Sequence, residues 1–200
     1  QDDNTLDISI KDYIKLTNTT KGRLTGYVGE CVQWEEQKVE LDPYVLGLWL
    51  GDGFQRGDRF AINSKDEPEI LEYLEKWGEN NDATFKQNEL NNPVALGISS
   101  TSNCHVAPMK KILSKYNLVN NKHIPKEYSV NSREVRLAIL AGFIDSDGHV
   151  CSDGRRITIS QGINHIGLAA DLIYLVKSLG FMCSSHIIKT QWKYKGELRR

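Results

Sequence analysis

No run of apolar residues in this chain approaches the roughly 20 that a membrane-crossing helix needs, so no such helix is expected. No two of the four cysteines, Cys31, Cys104, Cys151 and Cys183, form a C-x-x-C pair. That spacing speaks against both a zinc site and a disulfide framework, and reduced, partly buried thiols are expected. Asn18-Thr19-Thr20 fits a glycosylation sequon, but nothing else suggests secretion, and an intracellular, soluble location is expected. The chain opens Gln1-Asp2-Asp3-Asn4, with neither an initiator methionine nor a signal peptide, as a piece of a longer protein would. An excess of positive charge is also lacking: the net charge is −1.

The charge is unevenly placed. Residues 1–100 hold 10 Lys/Arg against 19 Asp/Glu, and residues 101–200 hold 15 against 7. A basic half is what a phosphate-binding surface needs, although many solvated surfaces look the same. With 40% hydrophobic and 26% charged residues, the 200-residue chain has the composition of a globular domain large enough for one sizeable core.

Two segments resemble each other about 95 residues apart: Val45-Leu46-Gly47-Leu48-Trp49-Leu50-Gly51-Asp52-Gly53 and Leu140-Ala141-Gly142-Phe143-Ile144-Asp145-Ser146-Asp147-Gly148. Each is an apolar run ending in Asp-Gly. Strand candidates follow both, at 59–64 and 156–160, by alternation and β-branching. Amphipathic helices come next, over 67–77 and 165–179, each expected to stop at a glycine, Gly78 or Gly180. Two more strands, 83–89 and 94–99, and a helix at about 106–116 complete a first unit. The second unit repeats the pattern through a strand region at 184–193 and is short of a strand and a helix. Two copies predict a pseudo-twofold α+β domain, not a solenoid. The expected division is an edge of a neighbouring domain or linker over 1–40, a first repeat over 41–135 and an incomplete second repeat over 136–200.

The apolar helices carry small residues four apart, Gly47 and Gly51 in one, Ala138, Gly142 and Ser146 in the other. Such a stripe lets two helix backbones approach closely. Leu46, Leu48, Trp49 and Leu50, and Leu140, Phe143 and Ile144, would pack outward under flanking sheets. Asp52 and Asp147 then fall at helix C-termini, where partial negative charge disfavours an acid, and close packing brings them together. A divalent cation relieves both penalties, and hard oxygen ligands suit Mg²⁺, with Mn²⁺ able to substitute. The glycine after each acid is expected to let the chain turn sharply. Asp-Gly after one helix is a common turn; two equivalent copies, each with a small-residue face, favour a metal site.

The paired segments resemble the motif of the LAGLIDADG, or dodecapeptide, homing endonucleases. The second copy differs from the family name only at Phe143 and Ser146; in the first, Leu50 replaces the first acid while Asp52 keeps the second. Lys122-His123-Ile124-Pro125 is similar to a Lys-x-Ile-Pro stretch of the intein-encoded branch. The resemblance, over roughly residues 40 to 200, implies two αββαββα repeats with a saddle of strands over the DNA major groove. It implies Asp52, Asp147 and Lys122 as catalytic residues, and Asp52, Asp147 and the carbonyls of Gly51 and Ser146 as metal ligands. The partner lysine is expected beyond Arg200, and the complete protein is expected to be a pseudo-symmetric monomer. Residues 1–40, especially 8–13 and Gly26-Tyr27, look like a run from an intein splicing domain, so fusion to that domain and a host protein is expected.

Metal-dependent cleavage of both strands of double-stranded DNA is therefore expected, with ions that activate water and stabilise the leaving 3′ oxygen. Arg56, Arg59, Lys86, Arg155, Arg156, Lys189 and Lys193 are candidate DNA contacts if the strands present them on one face. A non-catalytic DNA-binding or maturase protein on the same fold, and a splicing intein with a degenerate nuclease, remain alternatives.

Overall fold

The computed structural model describes all residues except 1–4, 27–28, 58, 64, 89–91, 102–106, 190–191, 195–196 and 200, and only the backbone of 87–88, 92–95, 192–194 and 197–199. It is a mixed helix-and-sheet fold built on one helix pair, α3 (Pro43–Asp52) and α7 (Arg133–Asp147), which share the most extensive contact between elements. No helix among the described residues is long and apolar enough to cross a membrane. Two short helices, α1 (Ile10–Lys15) and α2 (Asn18–Lys21), precede the pair and bury nothing.

Each helix of the pair starts at a capping residue. Asp42 accepts from Tyr44 N and Val45 N at 2.9 and 3.0 Å, with Pro43 in the first turn. Ser132 accepts from Val135 N, and Glu134 sits in the first turn of α7. Val45 through Leu50 are all buried in α3, as are Ile139, Leu140, Gly142 and Phe143 in α7.

The contact between them is reciprocal. A Cβ on Gly47 would run into the carbonyl oxygen of Ile139 and lie 2.9 Å from Phe143 N. A Cβ on Gly142 would run into the carbonyl oxygen of Tyr44 and lie 2.9 Å from Leu48 N. The helices thus meet backbone to backbone, which no larger residue permits. Ala138, expected on this seam, is half-buried.

Both helices end at the expected glycine, for a different reason than a sharp turn. Gly53 and Gly148 have ordinary φ values of −71° and −84°. A side chain is excluded instead by crowding, since a Cβ on Gly53 would meet Trp49 and one on Gly148 would meet the Ile144 carbonyl.

Around α3 lies a three-stranded antiparallel sheet, β1 (Arg59–Phe60), β3 (Asn92–Ser100) and β2 (Ala83–Asn88) in that order, with α4 (Pro68–Glu79) against it. Phe60, Phe85, Leu96 and Ile98 fill its inner face with Ile70, Leu74 and Trp77 of α4. The strand expected over 59–64 is short because Asn63 turns the chain: its carbonyl accepts from Asp66 N and Glu67 N, and its side chain from Lys65 N. Gly78 does not stop α4. It lies within the last turn, where a Cβ would strike the carbonyl of Ala83. Helix α5 (Pro108–Lys115) buries Met109 and Leu113.

After α7 comes a hairpin, β4 (Gly148–Val150) with β5 (Ile157–Ile159), then α8 (Ile166–Ser178). Gly180 does close α8, at φ +84°, with Gly180 N bonded to Lys177 O and Phe181 N to Val176 O. The expected strand region at 184–193 differs. Residues 184–189 lie in no helix or strand, and the consecutive Ile187 and Ile188 are both exposed, since Ser184-Ser185-His186-Ile187-Ile188-Lys189 has no alternation that would bury one face. Strand begins at β6 (Trp192–Tyr194), paired with β7 (Glu197–Arg199).

Residues 31–41 run along α6 (Lys126–Ser129), α7 and the end of α8. Gln37 and Asn131 exchange two hydrogen bonds at 2.9 Å, and the Leu41 N–H and C=O both bond the Tyr128 hydroxyl. Arg136 is wholly buried and fastens this segment. Its guanidinium donates to the carbonyls of Asn131, Ser178 and Val32 and to Ser178 Oγ, and it lies 4.5 Å from the Trp34 ring centre.

Candidate metal centre

The close seam between α3 and α7 delivers Asp52 and Asp147 to one place. A Cβ on Gly51 would strike Ser146 Oγ and lie 3.4 Å from Asp147 Cγ, so the last turns of the two helices touch. Burial, the charge of Asp147 and that of Glu67 push the Asp52 carboxyl up to about 6, with Lys122 opposing the rise. Gln161, just past β5, donates from Nε2 to Asp147 Oδ2 at 2.8 Å. The Ser146 hydroxyl turns back to the carbonyls of Gly142 and Phe143 at 3.1 Å, so any part in holding a cation falls to its own carbonyl.

Lys122 reaches this place from the loop between α5 and α6. Its Nζ donates to the carbonyls of Leu50 and Gly51 at 2.9 and 2.8 Å and stands 5.2 Å from the centre of the Trp49 ring. These carbonyls have lost helical partners at the end of α3, and an ammonium is the natural cap for them. Burial lowers the Lys122 ammonium to about 8, while Asp147 and Asp52 hold it above where burial alone would leave it. The Gly51 carbonyl, expected as a metal ligand, therefore already accepts from Lys122, and an ion there would share that oxygen with the ammonium.

The donor set fits a hard divalent cation. It consists of two carboxylates, one of them raised toward neutral pH by burial and by the charge of the other, and carbonyl oxygens at two helix ends. No group of three or more His, Cys, Asp or Glu able to hold a metal occurs among the described residues, so carbonyls, water or a substrate phosphate would complete the shell.

The cationic candidates spread more widely. Arg59 and Lys86 both face Gly97 across β3, so they share one row on the outer face of the sheet, and both are exposed. Arg155 and Arg156 are exposed at the β4–β5 turn, Arg56 in the turn after α3, and Lys189 after α8. The side chain of Lys193 lies outside the described residues. Gln161, Glu67 and Asp171 were not among the sequence candidates. Gln161 sits one residue past the expected strand, at the same end as the motif acid, which was the available signal. Glu67 reads only as the start of the next helix, and Asp171 had no signal because its partner Ile124 comes from a distant part of the chain.

Residues 123–197 match the family model described as homing endonuclease. The matched stretch takes in Asp147 and Gln161. The chain is also similar to the replicative DNA helicase DnaB of Mycobacterium intracellulare, 30% identical over 75% of this chain and 21% of that protein. A second relative is the catalytic subunit of the V-type proton ATPase from Candida tropicalis, 25% identical over 92% of this chain and 22% of its own length. The chain thus spans about a fifth of the length of these curated relatives.

Proposed function

We propose that the chain is the nuclease of an intein, a LAGLIDADG-type homing endonuclease that hydrolyses both strands of a double-stranded DNA site. The observation that carries this is the pair of equivalent helix ends: reciprocal glycine contacts set Asp52 and Asp147 side by side with Lys122 between α3 and its loop. A pseudo-twofold relation of two αββαββα repeats, 41–135 and an incomplete 136–200, accounts for that equivalence, with 1–40 as the edge of a splicing-type domain or linker. The intein setting has its own support. A helicase and an ATPase, proteins of different activities, each share about a fifth of their length with this chain, as a mobile insert in unrelated hosts would.

Asp52 and Asp147, with the carbonyls of Gly51 and Ser146, would hold Mg²⁺ or Mn²⁺. When bound, the metal would supply Lewis acidity toward water and the scissile phosphate. Asp147 is kept in orientation by Gln161. Lys122 presents positive charge to the phosphate oxygens as negative charge builds there. The outer row of Arg59 and Lys86 would follow the DNA backbone, with strands rather than a helix in the major groove.

The test is Asp147→Asn in the full-length protein, assayed with Mg²⁺ on the uninterrupted host-gene junction. Cleavage should vanish while DNA binding persists; full cutting by the variant refutes the assignment.

A further inference from the structure

We propose that Asp171, on α8, is a positioning residue for Lys122. The Lys122 loop, residues 117–125, is an irregular connection with left-handed residues at Asn117 and Asn120. Such a connection is mobile unless its backbone is tied down. Two ties flank the lysine. Asn120 N donates to the Gln55 carbonyl at 2.8 Å, beyond α3. Ile124 N donates to Asp171 Oδ2 at 3.0 Å, on α8. Ile124 itself is only 5% exposed, so its amide stands at the edge of the core, where an unpaired donor is costly. The residue after it, Pro125, has no N–H, so Ile124 is the last amide with which the loop can be fixed before α6.

A carboxylate is the stronger kind of acceptor for such an amide. The result is a strut: the second half of the chain holds a loop whose lysine serves the motif end of the first half. Without Asp171, the loop keeps its anchor at Asn120 and loses the one two residues beyond Lys122. The Lys122 ammonium should then leave the Leu50 and Gly51 carbonyls for part of the time.

The proposal rests on the nuclease reading only for its effect on cleavage, and a labelling measurement separates the two. Competitive acylation with acetic anhydride, read by mass spectrometry, compares Lys122 with exposed Lys126 in the same protein. Asp171→Ala should raise the relative labelling of Lys122 several-fold, and Asp171→Asn, whose amide oxygen still accepts, should restore it. On the host-gene junction DNA, Asp171→Ala should lower kcat about tenfold, as a small displacement of a working group does, with DNA affinity unchanged. Unchanged Lys122 labelling in Asp171→Ala, or equal labelling in both variants, overturns the proposal. Should Asp171→Ala fail to fold, the Ile124 amide of the wild-type protein decides. Protection from hydrogen exchange supports the tie, and exchange at the rate of an open loop overturns it. Wild-type cutting by Lys122→Met, with labelling as expected, overturns the role of the lysine in the reaction instead.

Discussion

Gly47→Ala tests the seam on which the two acids depend. In isolation the change favours a helix by about 1 kcal/mol. Here the new methyl group meets backbone that cannot rotate away: it would collide with the Ile139 carbonyl oxygen and lie 2.9 Å from Phe143 N and 3.0 Å from the Ile139 carbonyl carbon. Comfortable separations are about 3.5–4 Å, so the helices must part by roughly 1 Å. Parting them disturbs the packing of two helices whose Leu46, Leu48 and Phe143 are all fully buried. A disruption of that size costs about 3–5 kcal/mol, leaving a net loss of about 2–4 kcal/mol after the helical gain. Urea unfolding should show the midpoint fall with the slope unchanged. Gly142→Ala should match it, because the contacts are reciprocal. Gly167→Ala is the control: it lies in α8 with nothing within 4 Å of the added atom, and should be neutral or stabilising. If Gly47→Ala behaves like Gly167→Ala, the helices do not meet backbone to backbone and the placement of Asp52 beside Asp147 loses its cause.

Asp52 gives a pH signature. Its folded-state value, about 6, lies above the ordinary 3.8, so the folded protein binds the extra proton, and metal-free stability should fall as pH rises from about 4 to about 6. Asp52→Asn should flatten that fall and stabilise the metal-free protein above pH 6 by about 1–2 kcal/mol, after allowance for its partial exposure; a steeper fall would contradict the cause given. Mg²⁺ binding to the DNA-free protein should tighten as pH rises through about 6, because the metal takes the ionised form of Asp52; an affinity that stays flat from about pH 5 to 7 would remove Asp52 from the metal site. Arg136→Lys cannot reach all the acceptors of the planar fork and should lose about 2–4 kcal/mol in urea unfolding; a change under 1 kcal/mol would deny the staple its role. Arg59→Ala and Lys86→Ala should each weaken binding to all DNA sequences alike and lower the salt slope by about 1; an unchanged slope puts them off the phosphate path.

Local pattern carried much of this architecture. The helical spacing of Ile70, Leu74 and Trp77, the alternation in β2 and the positive φ at Gly180 are all consequences of near neighbours, and the sequence expectations for them match the structure. The small residues at 47, 51 and 142 announced a close helix pair because only steric size was at issue. What escaped was decided at long range. Arg136 reads as a surface charge near a helix start, yet it is buried by Val32 and Ser178, residues about 100 and 42 positions away. The turn at Asn63 is a local exception: its carbonyl meets the amides of Asp66 and Glu67 just ahead of α4, which cut the expected strand short. Residues 184–189 were expected in a strand because the first unit has one at that place, yet Ser184-Ser185-His186-Ile187-Ile188-Lys189 has no alternation of its own, and the repeat alone does not supply a strand. At the candidate centre, the acids and lysine were visible as motifs. Of their neighbours, Gln161 lay one residue past an expected strand, while Glu67 and Asp171 became visible only through geometry.

Lys122 sits just ahead of the second motif in sequence and caps the first motif's helix in space. Anyone exchanging halves between related proteins would be tempted to join them in the loop before residue 122. Such a hybrid would seat a foreign lysine loop on the native end of α3, held by a foreign α8. A junction between Pro125 and Arg133 carries the lysine with the helix it caps, yet separates it from Asp171. Neither cut is clean, so the two halves of this chain are best recombined with the loop and α8 chosen together.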